Sequence, residues 1–142
     1  MSKSDVFETD FLSLIFNAIP MANIADNAAT APLTNLYLSL HTADPGEAGT
    51  QATSETTYTG YARLAIARTG GGWVVSGNTV ALAANADFGE WTAGVGTLTH
   101  FGIGTAASGA GKLLFSGTIT PNIVLGAGVI PRISTAPLIT ED

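Results

Sequence analysis

The chain has 142 residues, no cysteine, and eleven acidic against five basic side chains, a net charge of −6. That length predicts one core, and the missing cysteine excludes a disulfide framework and a thiolate metal site. The acidic balance argues against direct nucleic-acid binding, and no apolar run reaches the ~20 residues of a spanning helix, so no membrane partner is expected.

The opening Met1-Ser2-Lys3-Ser4-Asp5 is polar and is not a secretory signal of the basic-then-apolar kind. Residues 4–18 predict the one convincing helix. Phe7, Phe11, Leu14, Ile15 and Ala18 recur at three- and four-residue steps and share one face. Ser4 or Asp5 caps the start, Glu8 completes a capping-box spacing, and Pro20 ends the pattern. This wide aromatic stripe either packs on its own domain or docks on a neighbouring subunit. Residues 19–34, with Pro20, Pro32 and many small polar residues, read as a linker. The expected organisation is therefore an arm and linker over 1–34 and a β domain over 35–142.

From Asn35 the period changes to two. Leu36, Leu38 and Leu40 alternate with Tyr37, Ser39 and His41, which predicts a half-buried strand. Residues 61–69 repeat the pattern, with Leu64 and Ile66 inward and Arg63 outward. Gly70-Gly71-Gly72 turns the chain into a strand at Trp73, and Gly77-Asn78 turns it again before 79–82. Further strands are predicted over 97–105 and 113–120, with short ones over 122–125 and 128–133. Short strands joined by glycine-rich turns predict an antiparallel β-sandwich, jelly-roll-like, with a helical N-terminal arm. Residues 43–60 are too long for a plain connector, so they are expected to bind something or to be mobile. Over 83–96, Phe88 and Trp91 are expected to be local core.

The segment GTAASGAGKLLFSG, residues 104–117, has the look of a phosphate loop and fails its requirements. The pattern G-x-x-x-x-G-K-[ST] needs glycine where Ala106 stands and a hydroxyl where Leu113 stands. The dinucleotide pattern matches Gly102, Gly104 and Ala107, but no helix follows and position 122 is Asn122, not an acid. The segment reads instead as a hairpin whose turn is made of small residues, with Lys112 as a surface contact. Ser39, His41 and Asp44 make a triad on paper only, since convergence across the fold is needed. His41 and His100 would need to meet beside a carboxylate to hold a metal. Asp44, Glu47 and Glu55 lack the spacing of a calcium loop. Tyr58, Tyr61 and Arg63 read as a strand exterior or a small binding face. No catalytic, cofactor-binding or metal residue is assigned, and the chain is expected not to be an enzyme.

The strings SDVFETDFLSLIFNA, NIADN, LTNLYLSLHTADPGEAGTQATSETTYTGYARLAIART, THFGIGTAASGAGKLLFSG and the closing TED together resemble a family of small structural proteins of tailed bacteriophages, often labelled tail-fibre-like. The resemblance covers nearly the whole chain, most specifically 36–69, and excludes DFGEWTAG at 87–94. It implies a head decoration, or cementing, protein of jelly-roll type. Such a protein would be made in the bacterial host cytoplasm, placed on the outer surface of the phage head, and would bridge subunits of the major capsid protein. It would also associate with itself, as a dimer rather than a trimer. On this reading the contact residues are Phe7, Phe11, Leu14 and Ile15 on the arm, and Asp44, Glu47, Glu55 and Tyr58 in the long loop. The alternatives are a tail or tail-fibre component, a carbohydrate-binding sandwich using Trp73 and Trp91, and a hydrolase around His41.

Overall fold

The computed structural model describes residues 3–28 and 30–141. In chain order the elements are α1 (Asp5–Asn17), β1 (Asn35–His41), β2 (Leu64–Ala67), β3 (Trp73–Ser76), β4 (Thr79–Leu82), β5 (Ala86–Asp87), β6 (Thr97–Gly104), β7 (Leu113–Val124), β8 (Arg132–Ile133) and β9 (Pro137–Thr140). The expected class is present: mainly β, antiparallel, with one N-terminal helix and separate sheets, as in a sandwich-like fold. The chain divides into two compact units. One comprises Met1–Asn35, Ile66–Asn85 and Ser134–Asp142, the other Leu36–Ala65 and Ala86–Ile133.

In the first unit, α1 packs on β3 of a three-stranded sheet ordered β3-β4-β9. Ser4 is the N-cap, its hydroxyl accepting from the Phe7 N–H at 3.4 Å, and Asp5 and Glu8 in the first turn suit the positive end of the helix dipole. Ala18 closes the helix in the left-handed region at φ 55, and Pro20 forbids continuation. Two of the last carbonyls, Leu14 and Ile15, accept from the Arg68 guanidinium at 2.7 Å each. The last turn has no basic residue of its own, so Arg68 supplies from a distant strand end the cation that a helix C-terminus favours.

The helix face turned to the sheet is Glu8, Leu12 and Phe16. It lies one step round from the stripe of Phe7, Phe11, Leu14 and Ile15. Phe16 sets its ring edge-on to Trp73 at 5.0 Å, and Leu12, Phe16 and Trp73 are fully buried. Each such apolar side chain contributes about 1.5–3 kcal/mol. Against this face the sheet sets Trp73, the largest fully buried side chain among the described residues, beside its buried cross-strand partner Leu82. The segment expected to be a linker contains a tight turn, with Met21 bridged to Ala25, Met21 buried and Asn23 at φ 63.

The second unit holds β1, β6 and β7 of a sheet ordered β2-β1-β6-β7, and a ribbon of β5 with β8. The 104–117 segment is a hairpin connection, as expected: β6 and β7 pair antiparallel, with Gly104 opposite Leu113. Three sequence expectations are corrected here. First, β1 is not half-buried. Both of its faces are closed from Leu38 to His41, because the 43–60 loop folds back over the polar face. Second, β7 is one strand of twelve residues where two were expected. Its pairing with β6 moves from Thr118↔His100 to Ile123↔Leu98, so the residues between bulge out of register. Pro121 sits in that bulge, where its missing N–H costs no ladder bond. Third, Arg63 points inward and its side chain is 2% exposed.

Candidate interaction surfaces

The long loop is ordered by polar groups that converge on the hairpin turn. Arg63 donates from Nε and Nη2 to the two carboxylate oxygens of Glu55, at 2.7 Å each. Its remaining donors reach the carbonyls of Ala106 at 2.9 Å and Gly109 at 2.6 Å. Tyr61 donates to the same carboxylate at 2.6 Å. Burial alone pushes Glu55 up, but the bonds from Arg63 and Tyr61 and the Arg63 charge outweigh it and hold the carboxyl below its usual range. Burial, then the bond to Glu55, push the Tyr61 phenol up.

Gln51, fully buried, makes the second connection. Its Oε1 accepts from the Ala106 N–H at 2.9 Å, and its backbone N–H donates to the Gly111 carbonyl at 3.0 Å. This explains two glycines of the segment that looked like a phosphate loop. A Cβ on Gly104 would lie 2.1 Å from Gln51 Cδ, and one on Gly111 would lie 2.4 Å from Gln51 Oε1. The glycines make room for Gln51. Lys112 is exposed, and its backbone exchanges bonds with Thr105.

Ser39 and His41 are each 0% exposed. Thr53 O can only accept, so His41 donates to it from Nδ1 at 2.8 Å, and Nε2 accepts from the Ser39 hydroxyl at 2.9 Å. Burial pulls the His41 pKa down, against the opposing effect of the Thr53 bond. The pair therefore holds loop to strand with every ring nitrogen used internally. Asp44 is not its third member: Asp44 accepts from the Gly46 N–H at 2.9 Å and forms a local turn. His100 is directly opposite His41 across β1 and β6. Among the described residues no group of three His, Asp or Glu is placed to hold a metal.

Of the eight contact residues expected from the sequence, Phe7 is 40% exposed and stacks on the half-buried Phe11 at 6.3 Å. Leu14 and Ile15 are half-buried beside Arg68's bonds to their carbonyls. Asp44 and Glu47 are exposed, and with Gly49 they face Leu113, Leu114 and Ser116 across a groove of about 420 Å³. Glu55 is engaged with Arg63. Tyr58 is buried, donating to the Gly89 carbonyl at 2.7 Å and packing on Tyr61, which stacks on Phe88. Tyr58, Tyr61 and Arg63 thus form an internal cluster, correcting both readings of them as an outer face. Trp73 is buried and Trp91 donates to the nearby Gly94 carbonyl, so the two tryptophans do not form an exposed stacking platform.

The sequence missed the exposed apolar side chains of the first unit. Val6 is 71% exposed, Ile24 at the tip of the tight turn 73%, and Ile19, Leu33 and Val74 are also exposed. Phe7 belongs to the same set, and the other unit exposes Val95, Val124 and Ile130. Only the helical periodicity around Phe7 signalled any of it.

Residues 12–140 match the family model described as podophage GP4 fiber I protein gp80. No curated protein matches the chain. The match spans most of the sequence, and the chain belongs to this family of phage structural proteins.

Proposed function

We propose that this member of the gp80 fibre family is a non-enzymatic subunit of a phage fibre, held in the virion by protein–protein contacts. The observation that carries the reading is the family match over residues 12–140, whose description is that of a fibre protein. The exposed Val6 and Phe7 on α1 offer apolar side chains for such a contact. Clamping of the long loop by Arg63, Gln51 and His41 supports the reading too, since a structural subunit gains from rigidity. A specific interface of this kind buries at least about 1,000 Å², with few residues carrying most of the energy.

A second reading keeps the chain on the virion but places it on the outer head surface, cementing the major capsid protein. The sequence resemblance to decoration proteins favours it. A subunit that binds only the assembled shell stabilises that shell by mass action.

Quantification of the chain in purified particles, with immunogold labelling, separates the readings. A fibre protein occurs in few copies at defined points, and a decoration protein in hundreds over the head. Absence from purified particles sinks both. The docking face is tested by Phe7→Ser with Phe11→Ser, which should abolish incorporation while leaving the melting temperature within a few degrees of wild type. Phe16→Ala, by contrast, should cost about 3–5 kcal/mol of stability, because it empties a closed site against Trp73. Normal incorporation of the double variant would refute the docking role of this face.

A further inference from the structure

We infer that the groove between the tip of the long loop and the start of β7 is a docking site for a cationic, extended segment of a different virion protein, seated by an arginine or lysine that meets Asp44 and Glu47. The inference rests on the reading of the chain as an assembling virion subunit and identifies a different surface from the α1 face.

The groove holds about 420 Å³, inside the roughly 300–1,000 Å³ of ordinary ligand sites. One wall is the loop tip with Asp44 and Glu47, both exposed. The other is Leu113, Leu114 and Phe115, each half-buried, with the exposed Ser116. The polar groups of the loop divide between inside and outside. Gln51, Thr53 and Glu55 are used internally, on Ala106, His41 and Arg63. Asp44 uses one oxygen on the Gly46 N–H, and among the described residues neither Asp44 nor Glu47 is in an ion pair. Loops beyond ~12–15 residues are usually functional or disordered. This one is ordered, and it sets two unpaired carboxylates against an apolar wall. A cation on an aliphatic stem matches both walls at once. The stem of arginine or lysine covers the leucines, and its charged end reaches the carboxylates.

Charge decides where that cation comes from. The chain has five basic residues, and four of them are engaged within it. Lys3 meets Glu141, Arg63 meets Glu55, Arg132 meets Asp87, and Arg68 donates to the carbonyls of Leu14, Ile15 and Leu33. The fifth, Lys112, is exposed, directly precedes Leu113, and pairs with neither carboxylate. A second copy would therefore bring one cation against two carboxylates, together with its own acidic groove and a net charge of −6. A different, basic chain carries neither handicap. The same net charge draws such a chain in and turns acidic partners away.

The test places a photo-activated cross-linker on Ser116→Cys, in a full chain otherwise free of cysteine, during particle assembly. Mass spectrometry should find one linked segment, from a different virion protein, with an arginine or lysine close to the link. Adding Asp44→Asn with Glu47→Gln, which keeps size and removes charge, should cut that link at least about tenfold with an unchanged circular dichroism spectrum. Thr57→Cys, also exposed and outside the groove, should not give the same segment. A link to a second copy of this chain, a segment without a basic residue, a link indifferent to the double variant, or no link in particles that contain the chain overturns the inference. A second measurement needs no particle. The end-blocked peptide Gly-Leu-Arg-Leu-Gly should shift the amide resonances of residues 44–49 and 113–116, less so as salt is raised, and the same peptide with citrulline for arginine should bind at least about tenfold more weakly. Equal shifts from both peptides, or none from either, overturn the inference as well. Absence of the chain from particles would instead remove the virion reading and leave the peptide result to decide on the groove.

Discussion

Replacing Arg63 by methionine keeps most of the aliphatic stem and removes the guanidinium, so it isolates the polar role of that side chain. Four bonds disappear: two to Glu55, one to Ala106 O and one to Gly109 O. The Arg63 side chain is 2% exposed and the Glu55 side chain 16%, so this pair is not of the solvent-screened surface kind. Without Arg63, a largely buried carboxylate retains the Tyr61 hydroxyl. Breaking a buried pair on one side costs about 3–5 kcal/mol, a fifth or more of the roughly 5–15 kcal/mol of an ordinary domain. The pH dependence gives an independent check. Glu55 has a folded pKa below its unfolded value. Its contribution is therefore fully present above the unfolded pKa of ~4.3 and is lost as pH falls through the folded one. In Arg63→Met the stranded carboxyl takes up a proton more readily, so the gap between variant and wild type should narrow as pH falls from 7 towards 4 and below. Denaturant unfolding at a series of pH values measures both quantities. A loss under about 1 kcal/mol at pH 7, the value of an exposed pair, would refute the buried clamp. So would a gap that does not narrow in acid.

Two more predictions address the same unit. Gly104→Ala sets a methyl 2.1 Å from Gln51 Cδ, so Gln51 must leave its site, at a cost of about 1–3 kcal/mol. In Gly104→Ala/Gln51→Ala the clash is gone, and the double variant should be more stable than the sum of the single effects predicts; strict additivity in denaturant melts would disprove the contact. His41 is held neutral by burial, with a folded pKa below its unfolded value. The unfolded chain therefore binds the extra proton, and stability falls as pH drops from about 6.5 through the folded pKa, by up to about 1.4 kcal/mol per pH unit. His41→Gln should lose this slope, and a variant with the wild-type slope would show that another group causes it.

Local physics was legible in the sequence wherever the chain's neighbours along itself decide the outcome. Capping by Ser4 and termination before Pro20 placed the helix within a residue of its ends. The period of two placed β1, β6 and the start of β7, and counting from Lys112 rejected the phosphate loop in favour of a hairpin. What remained illegible depends on which distant segment arrives. Periodicity says that Leu12 and Phe16 share one helix face and that Phe7 and Phe11 share the next. It does not say which of them meets Trp73, some sixty residues later in the sequence. Arg63 read as an outward strand residue because a lone arginine costs too much to bury. Its burial is stable only because Glu55 and the carbonyls of Ala106 and Gly109 surround it, and those partners lie 8, 43 and 46 residues away. The polar face of β1 read as solvated for the same reason. Tertiary structure closed it with a loop whose own composition gave no sign of order, because Gln51, Thr53 and Glu55 acquire their partners only when strand, loop and hairpin turn come together.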